Sequence, residues 1–314
     1  MLLARPLLSC WLTSSVSLAY RGLATMSAKE LRVALCQVNC TGDKQQNIAT
    51  VQAAVREAAR SGADLIALPE CWNSPYDTRS FPLNAEIIPD NFLAEDQVNA
   101  AESPSTMAIS NLAKEVGKYI IGGTVPERYG DKIYNTCVVF GPDGQGITKH
   151  RKIHLFDISI PGKITFKESD TLSAGDRVTI FETPWGKVGI GICYDIRFPE
   201  LSMLMSREGC KILVYPGAFN LVTGQAHWEL LQRARALDNQ VFVCTISPAR
   251  NPTAGYQAWG HSTVCDPWGS VIATTGHESD IVYAKIDMAK VEEVRSSIPV
   301  SKQKRDDIYN LTRA

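Results

Sequence analysis

Three stretches put a reactive side chain where an apolar run gives way to polar residues: LPE ending in Glu70, HRKIHLF containing Lys152, and GICYD containing Cys193. The run GKVGIGIC reads as a buried strand, and FPELSMLMSREG reads as a helix close behind it. A strand that turns sharply into a helix projects the intervening side chain from the sheet edge. There it meets the positive potential and free N–H groups of the helix start. Both favour a thiolate, so Cys193 would be nucleophilic near neutral pH; serine hydrolases use the same strand–turn–helix geometry. Gly189 and Gly191 would let other backbone approach closely. A small buried structural cysteine also fits this stretch.

A thiol nucleophile needs a base and a donor for the oxyanion. Glu70 closes the run ADLIALPE, and an acid at that place is costly unless it is used or paired. Lys152 leads into an apolar turn, where an ammonium could face a developing negative charge. Each also has a plain reading, as a solvated strand-end acid or a surface lysine. Cys71, beside Glu70, would point to the other side if the backbone there is strand-like. His154 reads as a packing or hydrogen-bonding residue rather than the partner in a Cys–His pair.

The elements that must position these groups alternate along the chain. LRVALCQVN and ADLIALPE read as strands around a helix, KQQNIATVQAAVREAARSG, that stops at a glycine. SPSTMAISNLAKEVG predicts a helix with Ser103 as its cap. YIIGGTVPE and YNTCVVFGPDGQG predict two consecutive strands with a tight turn at PDG, and PGKITFKESD reads as loop. VTIFETPWGKVGIGICYD and STVCDPWGSVIATT predict hairpins, the first with its second strand ending at Cys193. KILVYPGAF, VFVCTISPA and IVYAKID predict strands, with AHWELLQRARALDNQ and MAKVEEVRSSI as helices. No linker divides the body, so one α/β domain with mixed sheets is expected over residues 27–314.

Composition narrows the function. With 32 basic and 33 acidic residues the net charge is −1, which points to neither nucleic acid nor an anionic membrane as partner. The nine cysteines are scattered, without CxxC pairs or zinc spacing, and predict free thiols in a reducing compartment. No metal site, cofactor motif or phosphate-cradling loop is legible among the residues. Residues 1–26 carry Arg5 and Arg21, several serines and no acid, as a mitochondrial presequence does. Met26 could start a second, cytosolic form.

LPECWNSPY, HRKIHLFDISIPGKITFKES, GICYDIRFPEL, LVYPGAFN, AWGHSTVCDPWG and IPVSKQKRDDIY stand in an order that resembles the nitrilase superfamily. The similarity runs over residues 31–308 and is greatest to the ω-amidases of its Nit branch. It implies an αββα sandwich that pairs into a homodimer, no cofactor, and hydrolysis of carbon–nitrogen bonds. It also implies Cys193 as nucleophile, Glu70 as general base and Lys152 as oxyanion stabiliser, with Glu168 orienting the lysine. The implied substrate is a small α-keto acid amide with a distal carboxylate, which a guanidinium would meet bidentately. Arg197 is the first choice for that contact, although it could instead pair with Asp195 or Glu200. Tyr76 and Phe219 sit in matching pocket loops. A sister activity on deaminated glutathione is the nearest alternative, and a non-catalytic scaffold a more distant one. The acidic stretch from Phe92 to Ser103 departs from the family pattern and reads as an insertion near the pocket entrance.

Overall fold

The computed structural model describes residues 30–90, 101–162 and 164–313. The expected presequence and most of the acidic stretch lie outside the described residues. Two sheets face each other. The first contains β1 (Leu31–Gln37), β2 (Leu65–Ala67), β3 (Tyr119–Ile121), β4 (Val125–Tyr129), β5 (Lys132–Phe140), β6 (Gly146–Arg151) and β15 (Asp280–Ile286). Its order is β15-β1-β2-β3-β5-β4, with β6 also paired to β5. The second contains β9 (Thr179–Thr183), β10 (Gly186–Ile190), β11 (Cys210–Pro216), β12 (Phe242–Ile246), β13 (Thr263–Cys265) and β14 (Val271–Thr274). Its order is the reverse of chain order, β14 through β9. In both sheets the central strands run parallel, β1-β2-β3 and β10-β11-β12, and antiparallel strands close the edges.

Burial explains this arrangement. Every residue of β11 and β12 except Lys211 is buried, as parallel strands covered on both faces require. Leu31, Val33 and Leu35 of β1 meet Val188, Ile190 and Phe242 of the second sheet in one apolar core between the sheets. On the outer face of the first sheet, α1 (Lys44–Arg60) and α3 (Pro104–Val116) cover Ala34, Cys36 and Ile66. The apolar positions Ile48, Val51, Val55 and Ala58 fall on one face of α1, and Asp43 caps it by accepting from the Gln45 and Gln46 amides. On the second sheet, α4 (Pro199–Arg207) and α5 (Leu221–Asn239) play the same part. The layers are therefore helix, sheet, sheet, helix, as the αββα expectation has it. A one-turn helix α2 (Phe81–Asn84) and a late helix α6 (Ala289–Ser297) complete the set.

Several local expectations differ from the structure. β10 stops at Ile190, not Cys193, because the chain needs Gly191 and Ile192 to begin its turn. A side chain at Gly189 would meet the Met205 and Leu213 side chains, and one at Gly191 the Tyr215 ring, so these glycines admit side chains rather than backbone. The YIIGGTVPE strand is broken into β3 and β4, where Gly123 takes a φ of 63°. The supposed loop after Lys152 folds into a hairpin, β7 (Asp157–Ile160) with β8 (Ile164–Lys167). Ser103 does not cap α3: its hydroxyl donates to the Ile87 carbonyl, and the buried carboxylate of Glu86 takes the Ser105 and Thr106 amides instead.

Candidate active site

The reactive residues sit just past strand ends, the place where α/β sheets open a crevice. Glu70 lies three residues beyond β2, Lys152 directly follows β6, and Cys193 lies three residues beyond β10. Cys193 opens a short 3₁₀ turn, Cys193–Arg197, with φ at 47°. A non-glycine residue held in the left-handed region carries strain, and its surroundings must fix it. Asp195 is the fixing group. One of its oxygens accepts from the Ile192 amide at 2.9 Å and lies 3.3 Å from His150 Nε2. The other accepts from the His154 amide at 2.9 Å and lies 2.7 Å from His154 Nδ1. His150 and His154 flank Lys152 in sequence, so Asp195 ties the elbow to the lysine's own segment. Burial alone would raise the Asp195 carboxyl; the hydrogen bonds from His150 and His154 outweigh it and hold the group well below the usual carboxylate range.

Glu70, Lys152 and Glu168 form a dry chain of charges, each at most 1% exposed. Lys152 Nζ donates to Glu70 Oε1 at 3.0 Å and to Glu168 at 2.9 Å. Glu168 is anchored in turn by the Tyr76 hydroxyl at 2.6 Å and the Phe156 amide at 2.7 Å. Glu70 receives Asn135 Nδ2 at 2.8 Å on the oxygen that meets Lys152, and the Ala218 amide at 2.8 Å on the other. Its carboxylate is close enough to Cys193 to act on the thiol electrostatically. One ammonium between two carboxylates leaves one negative charge to be compensated in a low-dielectric site.

The protonation pattern follows from that excess. Burial raises the Glu70 carboxyl above its ordinary value, Lys152 opposes this and Glu168 adds to it. Burial alone would lower the Lys152 ammonium, but the Glu168 and Glu70 carboxylates hold it well above its ordinary value. Cys193 is pushed well above an ordinary thiol, by burial first and then by Glu70. The expectation of a resting thiolate is thus corrected. The turn at Cys193 is a single short 3₁₀ segment, and its dipole does not offset burial beside a carboxylate. The arrangement suits a neutral thiol that loses its proton to Glu70 only as it attacks.

The structure also places the weaker candidates. Arg197 faces neither Asp195 nor Glu200 as a salt-bridge partner. Its guanidinium lies over the Phe219 ring at 4.7 Å and beside His227 Nδ1 at 3.3 Å, while its buried Nε has no hydrogen-bond partner among the described residues. Burial lowers its pKa, opposed by Cys193 and the nearby tyrosines. Cys71 is not extended but left-handed, with φ at 49°, and its sulfur pairs with Thr124 Oγ1 at 3.7 Å. His154 bonds Asp195 and stacks on Phe198 at 3.6 Å, the hydrogen-bonding role expected of it. Sequence reasoning missed Asn135, Asp195 as the elbow's pin, and Tyr256. Asn135 reaches Glu70 from a strand 65 residues away, and no local pattern marks such a contact.

A cleft of about 900 Å³ opens beside the cluster, lined among others by Glu70, Tyr76, Phe166, Ala218 and Tyr256. Glu70 reaches this cleft, while Cys193 and Lys152 lie buried behind it, and a thiol, a carboxylate and an ammonium so placed are a set chemically able to act on a carbonyl carbon. The chain belongs to the carbon-nitrogen hydrolase family, within the nitrilase superfamily, whose family model matches residues 32–296. It is 54% identical over 280 residues to the omega-amidase NIT2 of Bos taurus, covering 89% of this chain and 97% of that one. It is also 54% identical over 282 residues to the chloroplastic omega-amidase of Arabidopsis thaliana, covering 90% of this chain and 74% of that one. Among solved structures, Saccharomyces cerevisiae Nit3, described as a member of branch 10 of the nitrilase superfamily, superposes with a TM-score of 0.79 at 42% identity. That match covers 88% of this chain and 97% of Nit3. The protein is an amidase.

Proposed function

We propose that the protein is an ω-amidase that hydrolyses the terminal amide of α-ketoglutaramate and α-ketosuccinamate through a thioester on Cys193. The observation that carries this reading is the buried chain of contacts Glu70–Lys152–Glu168, set against Cys193 across the Gly217–Ala218 backbone. Cys193 Sγ attacks the amide carbon while its proton passes to Glu70. The carbonyl oxygen, now negative, is met by Lys152 Nζ and by the Tyr194 amide in the first turn after the nucleophile. The carbon–nitrogen bond breaks as Glu70 returns the proton to the leaving nitrogen, and ammonia departs. Water then gives a proton to Glu70 and attacks the thioester; the acid leaves and the thiol is restored.

The identity to omega-amidases supports the substrate choice, and so does Arg197. A half-buried guanidinium stacked on Phe219, with an unpartnered Nε, is a receptor for the carboxylate at the far end of the substrate. The products are α-ketoglutarate or oxaloacetate with ammonia. Hydrolysis of deaminated glutathione remains the second reading, favoured by a cleft roomier than a five-carbon acid needs. The composition of residues 1–26 supports a mitochondrial protein, with a cytosolic form from Met26, and the family resemblance supports a homodimer.

Ammonia release by the chain from Met26 tests the reading. α-Ketoglutaramate is expected to be turned over faster than deaminated glutathione or a simple nitrile. Arg197→Met is expected to raise KM for the carboxylate-bearing amide by about 100-fold, the size of a charge-assisted contact. A KM unchanged by that substitution, or a preference for deaminated glutathione, contradicts the substrate assignment.

A further inference from the structure

The cleft that reaches Glu70 is walled in part by aromatic rings. Cys193 is 3% exposed and does not line the 900 Å³ cleft, whereas half-exposed Tyr76, Phe166 and Tyr256 do. These three come from different segments yet stand together: Tyr76 lies 4.5 Å from Tyr256 and 5.6 Å from Phe166, and Phe166 lies 5.7 Å from Tyr256. The hydroxyl of Tyr76 is committed to Glu168. That of Tyr256 donates to the Ala218 carbonyl at 2.5 Å.

Ala218 is a sensitive place to hold. Its amide is the donor to the second oxygen of Glu70. The next residue, Phe219, carries the Arg197 guanidinium on its ring. The loop bearing Tyr256 is docked on this same strip twice more, by the Trp259 amide on the Phe219 carbonyl at 2.7 Å and by a bridge between Ala258 and Asn220. Gly217, just before Ala218, packs closely on the nucleophile: a Cβ there would sit 3.1 Å from Cys193 Cα, tighter than ordinary contact. A movement of the Tyr256 loop therefore reaches the base, the nucleophile and the arginine together.

We propose that Tyr256 selects which amides reach Cys193: its ring, in the wall of the cleft that reaches Glu70, limits the acyl chain that fits, and its hydroxyl, through Ala218, holds Glu70 in register. The first half is a specificity role and the second a positioning role. Both rest on the reading of Cys193 as the nucleophile. By limiting the length of the acyl chain, the ring favours a short amide over a longer one.

The test compares Tyr256→Phe and Tyr256→Ala with the unaltered chain from Met26. Two readouts are used: iodoacetamide labelling of Cys193, followed on its own peptide by mass, and turnover of α-ketoglutaramate beside a homologue one methylene longer. Tyr256→Phe keeps the wall and is expected to lower kcat about 10-fold for both amides, with labelling and chain-length preference unchanged, as loss of one buried hydrogen bond predicts. Tyr256→Ala is expected to speed labelling at least about 10-fold and to shift the kcat/KM ratio toward the longer amide by a similar factor, the scale set by one methylene in a pocket. Unchanged labelling and an unchanged ratio in Tyr256→Ala overturn the specificity role, and an unchanged kcat in Tyr256→Phe overturns the positioning role. If alkylation of Cys193 leaves turnover intact in the unaltered chain, the nucleophile assignment fails instead, a result distinct from either.

Discussion

At the scale of single residues, the site works by refusing charge in one place and fixing it in another. Glu70 is raised by burial and by Glu168, so its ionised form is scarce at low pH. Because the ionised form is the base, kcat/KM is expected to rise with pH through a value above the ordinary glutamate range near 4.3. Glu168→Gln removes a like charge that raises Glu70, and the acid limb of the kcat/KM profile is expected to move to lower pH. A limb that stays in place or moves upward contradicts this assignment of causes. Among the described residues, Lys152 is the cation that pairs with both Glu70 and Glu168. Lys152→Met leaves two buried carboxylates unpaired and is expected to cost about 3–5 kcal/mol of stability in urea unfolding. Adding Glu168→Gln to that variant restores part of the loss if the charge accounting is right.

At the scale of elements, geometry matters more than propensity. Asp43 caps α1 far from the chemistry, with both contacts to exposed backbone. Asp43→Ala is expected to cost about 1 kcal/mol and leave kcat/KM unchanged. Gly217→Ala behaves oppositely. Its Cβ would meet Cys193 Cα at 3.1 Å and the Trp228 ring at 3.2 Å, so the elbow or the ring must give way slightly, and activity is expected to fall by about 10-fold, less than the about 100-fold of a 1 Å misplacement. Equal effects on stability and activity in the two variants contradict the account. The sequence made the strand–helix alternation readable because apolar spacing is local. It hid the β7–β8 hairpin, whose residues alternate only between half-buried and exposed, and it hid the cap of α3, which Glu86 supplies from 19 residues before Ser105. Glu70, Lys152 and Cys193 were legible as acids, bases and thiols misplaced at the ends of apolar runs. Asn135, Asp195 and Tyr256 were not, because an asparagine in a strand or a tyrosine in a loop breaks no local rule.

At the scale of the whole molecule, two sheets supply the rigidity that a strained elbow requires. One core joins their facing surfaces, and the outer helices seal each sheet from the other side. Such burial has a consequence for pH. Lys152 and Cys193 are held well above their ordinary values, and burial pushes the Cys36 thiol up to about 12. A group raised in the folded state contributes stability in full below its unfolded pKa and loses it as pH rises through the folded one. The urea midpoint is therefore expected to fall above about pH 9, where unfolded thiols begin to ionise, and further above about pH 10.4, where unfolded lysine does. Asp195 is depressed and works in the other direction: its contribution is present above about pH 3.9 and is lost as pH falls through its folded value. A midpoint flat from pH 8 to 12 contradicts the buried-charge picture.

The most direct test is to quench the chain from Met26 in acid during turnover of α-ketoglutaramate and to weigh its peptides. The account predicts an acyl group on the Cys193 peptide, and neither adduct nor ammonia from Cys193→Ala. Ammonia released with the acyl group on Cys71, or at an undiminished rate by Cys193→Ala, would contradict it.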